Sequence, residues 1–139
     1  MSRLDQPMLA EKAAVIERHL SRVEEKLPAD PEELIPATDA SDAVILHLWQ
    51  AVQTAIDLAV SACIHFQLGS PSGYGAAFQR LAGAGHLDRA LAARLVRAAG
   101  FRNVVAHAYD SLDMTRVYRA AREGPADLRA FLKALAERL

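Results

Sequence analysis

The eight residues Arg102-Asn103-Val104-Val105-Ala106-His107-Ala108-Tyr109 form a motif that places a fixed cation, a titratable imidazole and a phenol close together in the chain. An imidazole titrates near neutral pH, so it can accept or donate a proton during a reaction. A guanidinium stays charged, and its planar fork matches the oxygens of a phosphate group. These side chains suit cleavage of an RNA phosphodiester by the neighbouring ribose 2′-hydroxyl. Arg102 and His107 are therefore candidate catalytic residues for a reaction that requires no metal ion.

A helix through this segment would turn by about 100° per residue. It would place Tyr109 about 20° from Arg102, and Asn103 and His107 about 100° and 140° away in the other direction. Asn103 stands one helical turn before His107 and is a candidate to orient the imidazole or the phosphate. Taken by themselves, Arg102, His107 and Tyr109 are more typical of an ordinary solvated helix face than of a catalytic site.

Apolar residues recur at helical spacing along most of the chain, and no segment alternates as a strand would. Hydrophobic residues make up 52% of the sequence and aromatic residues only 6%, a balance typical of packed helices. We predict an all-α, up-and-down bundle of five or six helices that forms a single domain over residues 1–139. The first predicted helix is 4–27. A long second helix is capped near Thr38, Asp39 or Ser41 and runs to about Leu68, and a short third helix runs from Tyr74 to about Ala82. The fourth is capped by Asp88 and carries the motif, the fifth is capped by Asp113, and the last runs from Asp127 to Leu139 after an interruption at Gly124-Pro125.

The long second helix is apolar almost all round. A helix without a polar face must be covered on every side, so it is expected at the centre of the bundle or against another subunit. The second possibility predicts a homodimer.

Composition and spacing exclude several kinds of site. The single cysteine, Cys63, cannot form a disulfide within the chain, and its apolar surroundings predict a buried thiol. The histidines outside the motif are not paired at the three- or four-residue spacing of a helical metal site, so we predict no metal and no cofactor. No run of about 18 apolar residues is present, so we predict no membrane span. The single cysteine fits a reducing compartment, and we predict a cytoplasmic protein.

Charge is distributed unevenly. The net charge is −1, which argues against a protein that coats nucleic acid indiscriminately. Residues 1–79 hold 5 basic and 11 acidic side chains, whereas residues 80–139 hold 11 basic and 6 acidic ones. The basic half therefore contains the motif, and its Arg80, Arg89, Arg94 and Arg97 are consistent with a surface that guides RNA, with a solvated face, or with a dock for an acidic partner.

The motif resembles the R-x4–6-H signature of HEPN domains, and with Tyr109 it resembles the R-x4-H-x-Y form of HepT-type toxins. The resemblance extends over about residues 40–139. It includes Ile56-Asp57 on the long helix, the Tyr74, Phe78 and Leu81 stretch, Gly100-Phe101 before the motif, and Asp113 with Val117-Tyr118 after it.

This resemblance implies an all-helical homodimer whose two motifs face one cleft and a metal-independent endoribonuclease with Arg102 and His107 as its catalytic residues. It also implies the toxin of a type II-like toxin–antitoxin system, neutralised by a minimal nucleotidyltransferase antitoxin, with Tyr109 as the site to which that partner attaches AMP. The alternative is a non-catalytic HEPN scaffold that binds a nucleotide or the partner.

Two residues outside the motif are left with open roles. Asp57 is either a buried partner for an arginine or His107, or a residue that points to solvent. Trp49 either packs in the core or dimer interface, which we favour, or stacks on an RNA base.

Overall fold

The computed structural model describes residues 4–139, and five α-helices account for most of them. The helices are α1 (Gln6–Lys26), α2 (Asp39–His65), α3 (Ala76–Gly83), α4 (Arg89–Ala108) and α5 (Met114–Arg138), with short 3₁₀ turns at Pro31–Glu33 and Tyr109–Ser111. No strand occurs within residues 4–139. The all-α prediction is confirmed, with five helices.

Side-chain caps begin four of the helices. Asp5 caps α1 by accepting a hydrogen bond from the backbone N–H of Met8. A reciprocal capping box between Thr38 and Ser41 begins α2, as the sequence indicated. The predicted caps of α4 and α5, Asp88 and Asp113, each accept a backbone N–H bond from the first turn that follows.

Helix α2 is the central element, because it packs against each of the other four helices. Among its buried side chains are Val44, Leu48, Ala55, Ile56 and Ala59. By length and composition alone α2 could cross a membrane, but half of its most apolar window is buried inside the bundle. The predicted central position is thus confirmed, and burial in the bundle accounts for the apolar character of the helix.

Helix α2 ends at His65, three residues before the predicted Leu68. Gln67 has a φ of +62°, in the left-handed region that stops a helix, and the N–H of Leu68 reaches back to the carbonyl of Cys63 over 2.8 Å. Cys63 is fully buried, as predicted, and burial raises the pKa of its thiol.

The predicted interruption at Gly124-Pro125 is wrong, because α5 runs through both residues. A proline inside a helix removes one backbone hydrogen bond and is unfavourable in isolation. Here Pro125 is itself buried, and buried side chains lie on both sides of it, among them Ala121 and Leu128. Packing against the rest of the bundle therefore holds the helix continuous across the proline.

Candidate active site

Arg102 is held by two helices and two aromatic rings. From α4 its Nε donates a hydrogen bond to Oε1 of Gln53 on α2 over 2.7 Å, and its Nη1 donates to Oδ1 of Asn103 over 3.3 Å. Its Cζ lies 4.4 Å from the ring centroid of Tyr74 and 5.4 Å from that of Trp49, within the range of cation–π attraction. The orientation of the guanidinium is therefore fixed by several independent contacts.

A second hydrogen bond extends this arrangement along α2. Nε2 of Gln53 donates to Oδ1 of Asp57 over 3.0 Å. Because an amide has one oxygen and one NH₂ group, binding the NH₂ group to the carboxylate leaves the oxygen facing Arg102. Asp57 is exposed, so of its two predicted roles the solvent-facing one is correct, and it contacts the arginine only through Gln53.

Asn103 supports the arginine. The sequence predicts that it orients the imidazole of His107 or a phosphate. In the structure its side-chain oxygen accepts the bond from Arg102. It is half-buried beside that residue.

His107 lies in the last turn of α4 and is exposed to solvent. It follows Arg102 by five residues, which corresponds to ~7.5 Å along the helix axis and about 140° around it. The Arg102 side chain is turned toward α2, where it meets Gln53. The neighbouring Ala106 is also exposed and small, which leaves room for a substrate next to the imidazole.

Tyr109 does not continue the helix as the angular argument assumed. Ala108 has φ −141° and ψ 39°, outside the helical range, and the chain turns there into the 3₁₀ segment. The Tyr109 hydroxyl donates a hydrogen bond to Oδ1 of Asp42, in the first turn of α2, over 2.8 Å. Burial, and then the hydrogen bond and negative charge of Asp42, raise the pKa of the phenol, although 46% of the Tyr109 surface is exposed.

Four residues that contact the motif were not assigned to the site from the sequence, namely Asp42, Trp49, Gln53 and Tyr74. Trp49 is half-buried, but its ring also lies against Arg102, a role that neither core packing nor base stacking described. Part of the signal was present. At 100° per residue, Asp42, Gln53 and Asp57 fall within about 60° of one another on α2, a polar line along an otherwise apolar helix.

The fold brings together two histidines that the sequence keeps apart. Nδ1 of His19 on α1 lies 3.0 Å from Nδ1 of His47 on α2. Within residues 4–139 no group of three or more His, Cys, Asp or Glu side chains is arranged to hold a metal ion. His65 and His86 lie elsewhere, each with its ring against Phe66.

The four arginines considered as an RNA-guiding surface differ in their surroundings. Arg80 donates to the carbonyl of Leu68 over 2.7 Å, and Arg94 pairs with Asp127 of α5 over 2.9 Å. Arg89 and Arg97 are exposed. Two of the four arginines thus have structural partners within the chain.

Several solved structures share this architecture. A HEPN toxin of Shewanella oneidensis, solved as the tri-AMPylated protein in complex with its MNT antitoxin, has a similar fold at 24% identity, with a TM-score of 0.85 over 96% of this chain and 99% of that one. A toxin–antitoxin structure with AMP-PNP matches at 23% identity and a TM-score of 0.86, over 95% and 99% of the two chains. YutE of Bacillus subtilis, a cytosolic protein of unknown function, matches at 15% identity and a TM-score of 0.82, over 100% and 93%.

These structural likenesses, all below 25% identity, establish the fold. A search of curated protein sequences finds no significant match. The family described as Ribonuclease HepT-like matches residues 16–135, which include the whole motif and most of the bundle. The chain therefore belongs to the HepT-like ribonuclease family.

Proposed function

We propose that this chain is the toxin of a toxin–antitoxin pair and acts as a metal-independent endoribonuclease with Arg102 and His107 as its catalytic residues. The observation that carries the proposal is the placement of Arg102. Contacts within residues 4–139 use two of its five N–H groups, one for Gln53 and one for Asn103. The other three N–H groups can bind phosphate oxygens. A cation oriented in advance stabilises the charge that grows on a phosphate during cleavage.

The reaction is an attack by the ribose 2′-hydroxyl on the adjacent phosphorus. The 2′-oxygen forms a bond to phosphorus, the bond to the 5′-oxygen of the next nucleotide breaks, and the products carry a 2′,3′-cyclic phosphate and a 5′-hydroxyl. His107 takes the proton from the 2′-hydroxyl or gives one to the leaving 5′-oxygen. Its exposure in the last turn of α4 lets an RNA strand reach it.

Two proton transfers occur in this reaction, but each chain contributes only one imidazole from the motif. A homodimer with the two motifs in one cleft would supply an acid and a base together. Leu46 on α2 and Val104 on α4 are apolar side chains that the single chain leaves exposed, and burial in a dimer interface would remove them from water.

The partner in this proposal is a minimal nucleotidyltransferase that transfers AMP to Tyr109. The structurally similar HEPN toxin of Shewanella oneidensis is tri-AMPylated and bound to an MNT antitoxin. Tyr109 is 46% exposed, so such a partner can reach its side chain. Each attached AMP would bring an anionic phosphodiester next to the motif, where RNA phosphate has to bind.

The test uses the chain made by cell-free synthesis together with a short RNA of defined sequence. Cell-free synthesis avoids harm to a host. We expect cleavage that persists in excess chelator, produces 2′,3′-cyclic phosphate ends, and is absent when every 2′-hydroxyl is replaced by 2′-O-methyl. His107→Gln should abolish cleavage, whereas the matched change His65→Gln, at an exposed histidine on α2, should leave it intact.

Equal cleavage by His107→Gln and wild type would refute the catalytic role. No cleavage by either, together with no growth arrest when the chain is expressed alone, would favour the non-catalytic scaffold.

A further inference from the structure

We propose that Asp42 is the proton acceptor for Tyr109 when the phenol oxygen attacks the α-phosphate of ATP, so that the modified chain supplies the base for its own modification. This inference rests on the proposed regulation through Tyr109. To that regulation the inference adds a catalytic residue of this chain, which lies on α2, far from the motif in sequence.

The proposed base is hydrogen-bonded to the reacting atom. The Tyr109 hydroxyl donates its hydrogen to Oδ1 of Asp42 over 2.8 Å, and the two residues are 67 positions apart. The turn at Ala108 directs the phenol toward α2, and the first turn of α2 is fixed by the bond from the N–H of Asp42 to the carbonyl of Thr38. Both side chains are exposed, so a nucleotide can approach the phenol oxygen while the hydrogen bond persists.

The chemistry explains why a base is needed. Burial and the neighbouring carboxylates of Asp42 and Asp110 raise the pKa of Tyr109 above its ordinary value of 10.0, so the phenol keeps its proton at neutral pH. A protonated phenol is a weak nucleophile until an adjacent group takes the proton as the new bond forms. The same environment that disfavours a free phenolate therefore provides the acceptor.

The step balances as a simple transfer. The Tyr109 Oη–Pα bond forms, the bond between Pα and the bridging oxygen of the β-phosphate breaks, and pyrophosphate leaves. The phenol proton moves to the Asp42 carboxylate. Only the first AMP bonds to the Tyr109 phenol oxygen, so any further AMP units would be added without Asp42.

Asp42 has two acidic neighbours that serve as matched controls. Asp39 occupies the same first turn of α2 and is exposed, and it therefore shares the helix-terminus environment of Asp42. Asp110 follows Tyr109 directly and adds negative charge beside the phenol. Neither of them is hydrogen-bonded to the Tyr109 hydroxyl, which donates to Asp42.

The experiment measures AMP transfer to the full chain by intact mass, in the presence of the proposed minimal nucleotidyltransferase partner and ATP. Asp42→Asn keeps the size of the side chain but cannot take the proton, so the first addition at neutral pH should slow about 100-fold or more, in the range of general-base catalysis. Asp42→Glu, which keeps a carboxylate, should recover part of the rate. Asp39→Asn and Asp110→Asn should label at close to the wild-type rate.

The pH profile separates a base from a merely structural residue. The rate of Asp42→Asn should rise with pH as the phenol ionises without help, whereas the wild-type rate should depend less on pH over the same range. Spectroscopic titration should also show the pKa of Tyr109 lowered in Asp42→Asn, because a raising cause has been removed.

The outcomes are distinct. Equal labelling of wild type and Asp42→Asn at neutral pH would overturn the role of Asp42 and leave the regulation through Tyr109 standing. A wild-type chain that is silenced without any AMP on Tyr109 would overturn both.

Discussion

Nε of Arg102 lies 2.7 Å from Oε1 of Gln53, in a hydrogen bond between residues 49 positions apart. The direction of the candidate catalytic guanidinium is thus set partly by α2, and not only by contacts within the helix that carries it. Asp57 completes the arrangement, because its bond to Nε2 keeps the Gln53 oxygen turned toward the arginine.

Gln53→Ala should therefore weaken cleavage without unfolding the protein. The arginine would keep its charge but lose the bond that orients it, so we expect kcat/KM to fall about tenfold, or ~1.4 kcal/mol of transition-state stabilisation. The measurement is steady-state cleavage of a defined RNA, with Gln79→Ala, at an exposed glutamine on α3, as the control. Unchanged kinetics in Gln53→Ala would mean that the aromatic rings and Asn103 suffice to hold the arginine.

The predicted homodimer can be tested at Leu46, an apolar side chain that is 53% exposed on α2. A charge placed in an apolar interface is costly to bury, so Leu46→Asp should dissociate the dimer and reduce cleavage with it. Light scattering should give about twice the 15.1 kDa chain mass for the wild type and the single mass for the variant. Ile35→Asp is the control, because Ile35 is 52% exposed but precedes α2. A fully active monomeric wild type would contradict the shared cleft.

The His19 and His47 pair predicts a pH dependence of stability. Burial, then His47 and Arg18, lower the pKa of His19 from its ordinary value of 6.5. The unfolded chain thus binds the proton more readily, so the free energy of unfolding should fall as the pH drops below about 6.5 toward the lower folded pKa. Denaturant melts between about pH 7.5 and about pH 5.5 should show a smaller loss for His19→Gln than for wild type or His65→Gln. Parallel curves for all three proteins would remove His19 as the cause.

Two glycines allow a matched test of backbone conformation. An added Cβ would meet nothing within 4 Å at either Gly100 or Gly73, but Gly100 lies inside α4, whereas Gly73 has a φ of +105°. Gly100→Ala should stabilise the protein by ~0.5–1 kcal/mol, or roughly 2–4 °C in Tm. Gly73→Ala should destabilise it by about 1 kcal/mol or more, because the left-handed region strains a residue with a side chain. Shifts of the same sign would contradict the assignment of the two conformations.

Most of the fold could be predicted from interactions between neighbouring residues. Thr38, Asp88 and Asp113 begin helices because each side chain caps the backbone next to it, which is a property of neighbouring residues and is visible in the sequence. The prediction of a break at Pro125 failed because the local effect of a proline is overridden by packing against distant helices.

The site was predictable only in part for a related reason. Arg102 and His107 stand out by type and spacing, and the family match supports the resemblance on which they were chosen. Gln53 and Asp42 contact the motif across a helix–helix interface, so their roles depend on how α2 and α4 align. The register of two helices is a tertiary property, and the one-residue change in direction at Ala108 altered the expected position of Tyr109.

Pro125 has a consequence for how the molecule folds. Without a backbone N–H at this position, the carbonyl of Ala121 loses its helical hydrogen bond, and propagation along an isolated α5 would stop there. The segment after Pro125 gains its helical shape from contact with the rest of the bundle, where Leu128, Phe131 and Leu135 are buried. Helix α5 therefore cannot elongate as one unit before the bundle assembles, and its second half forms together with tertiary docking. In amide hydrogen exchange, the two halves should open as separate units, with residue 125 at their boundary.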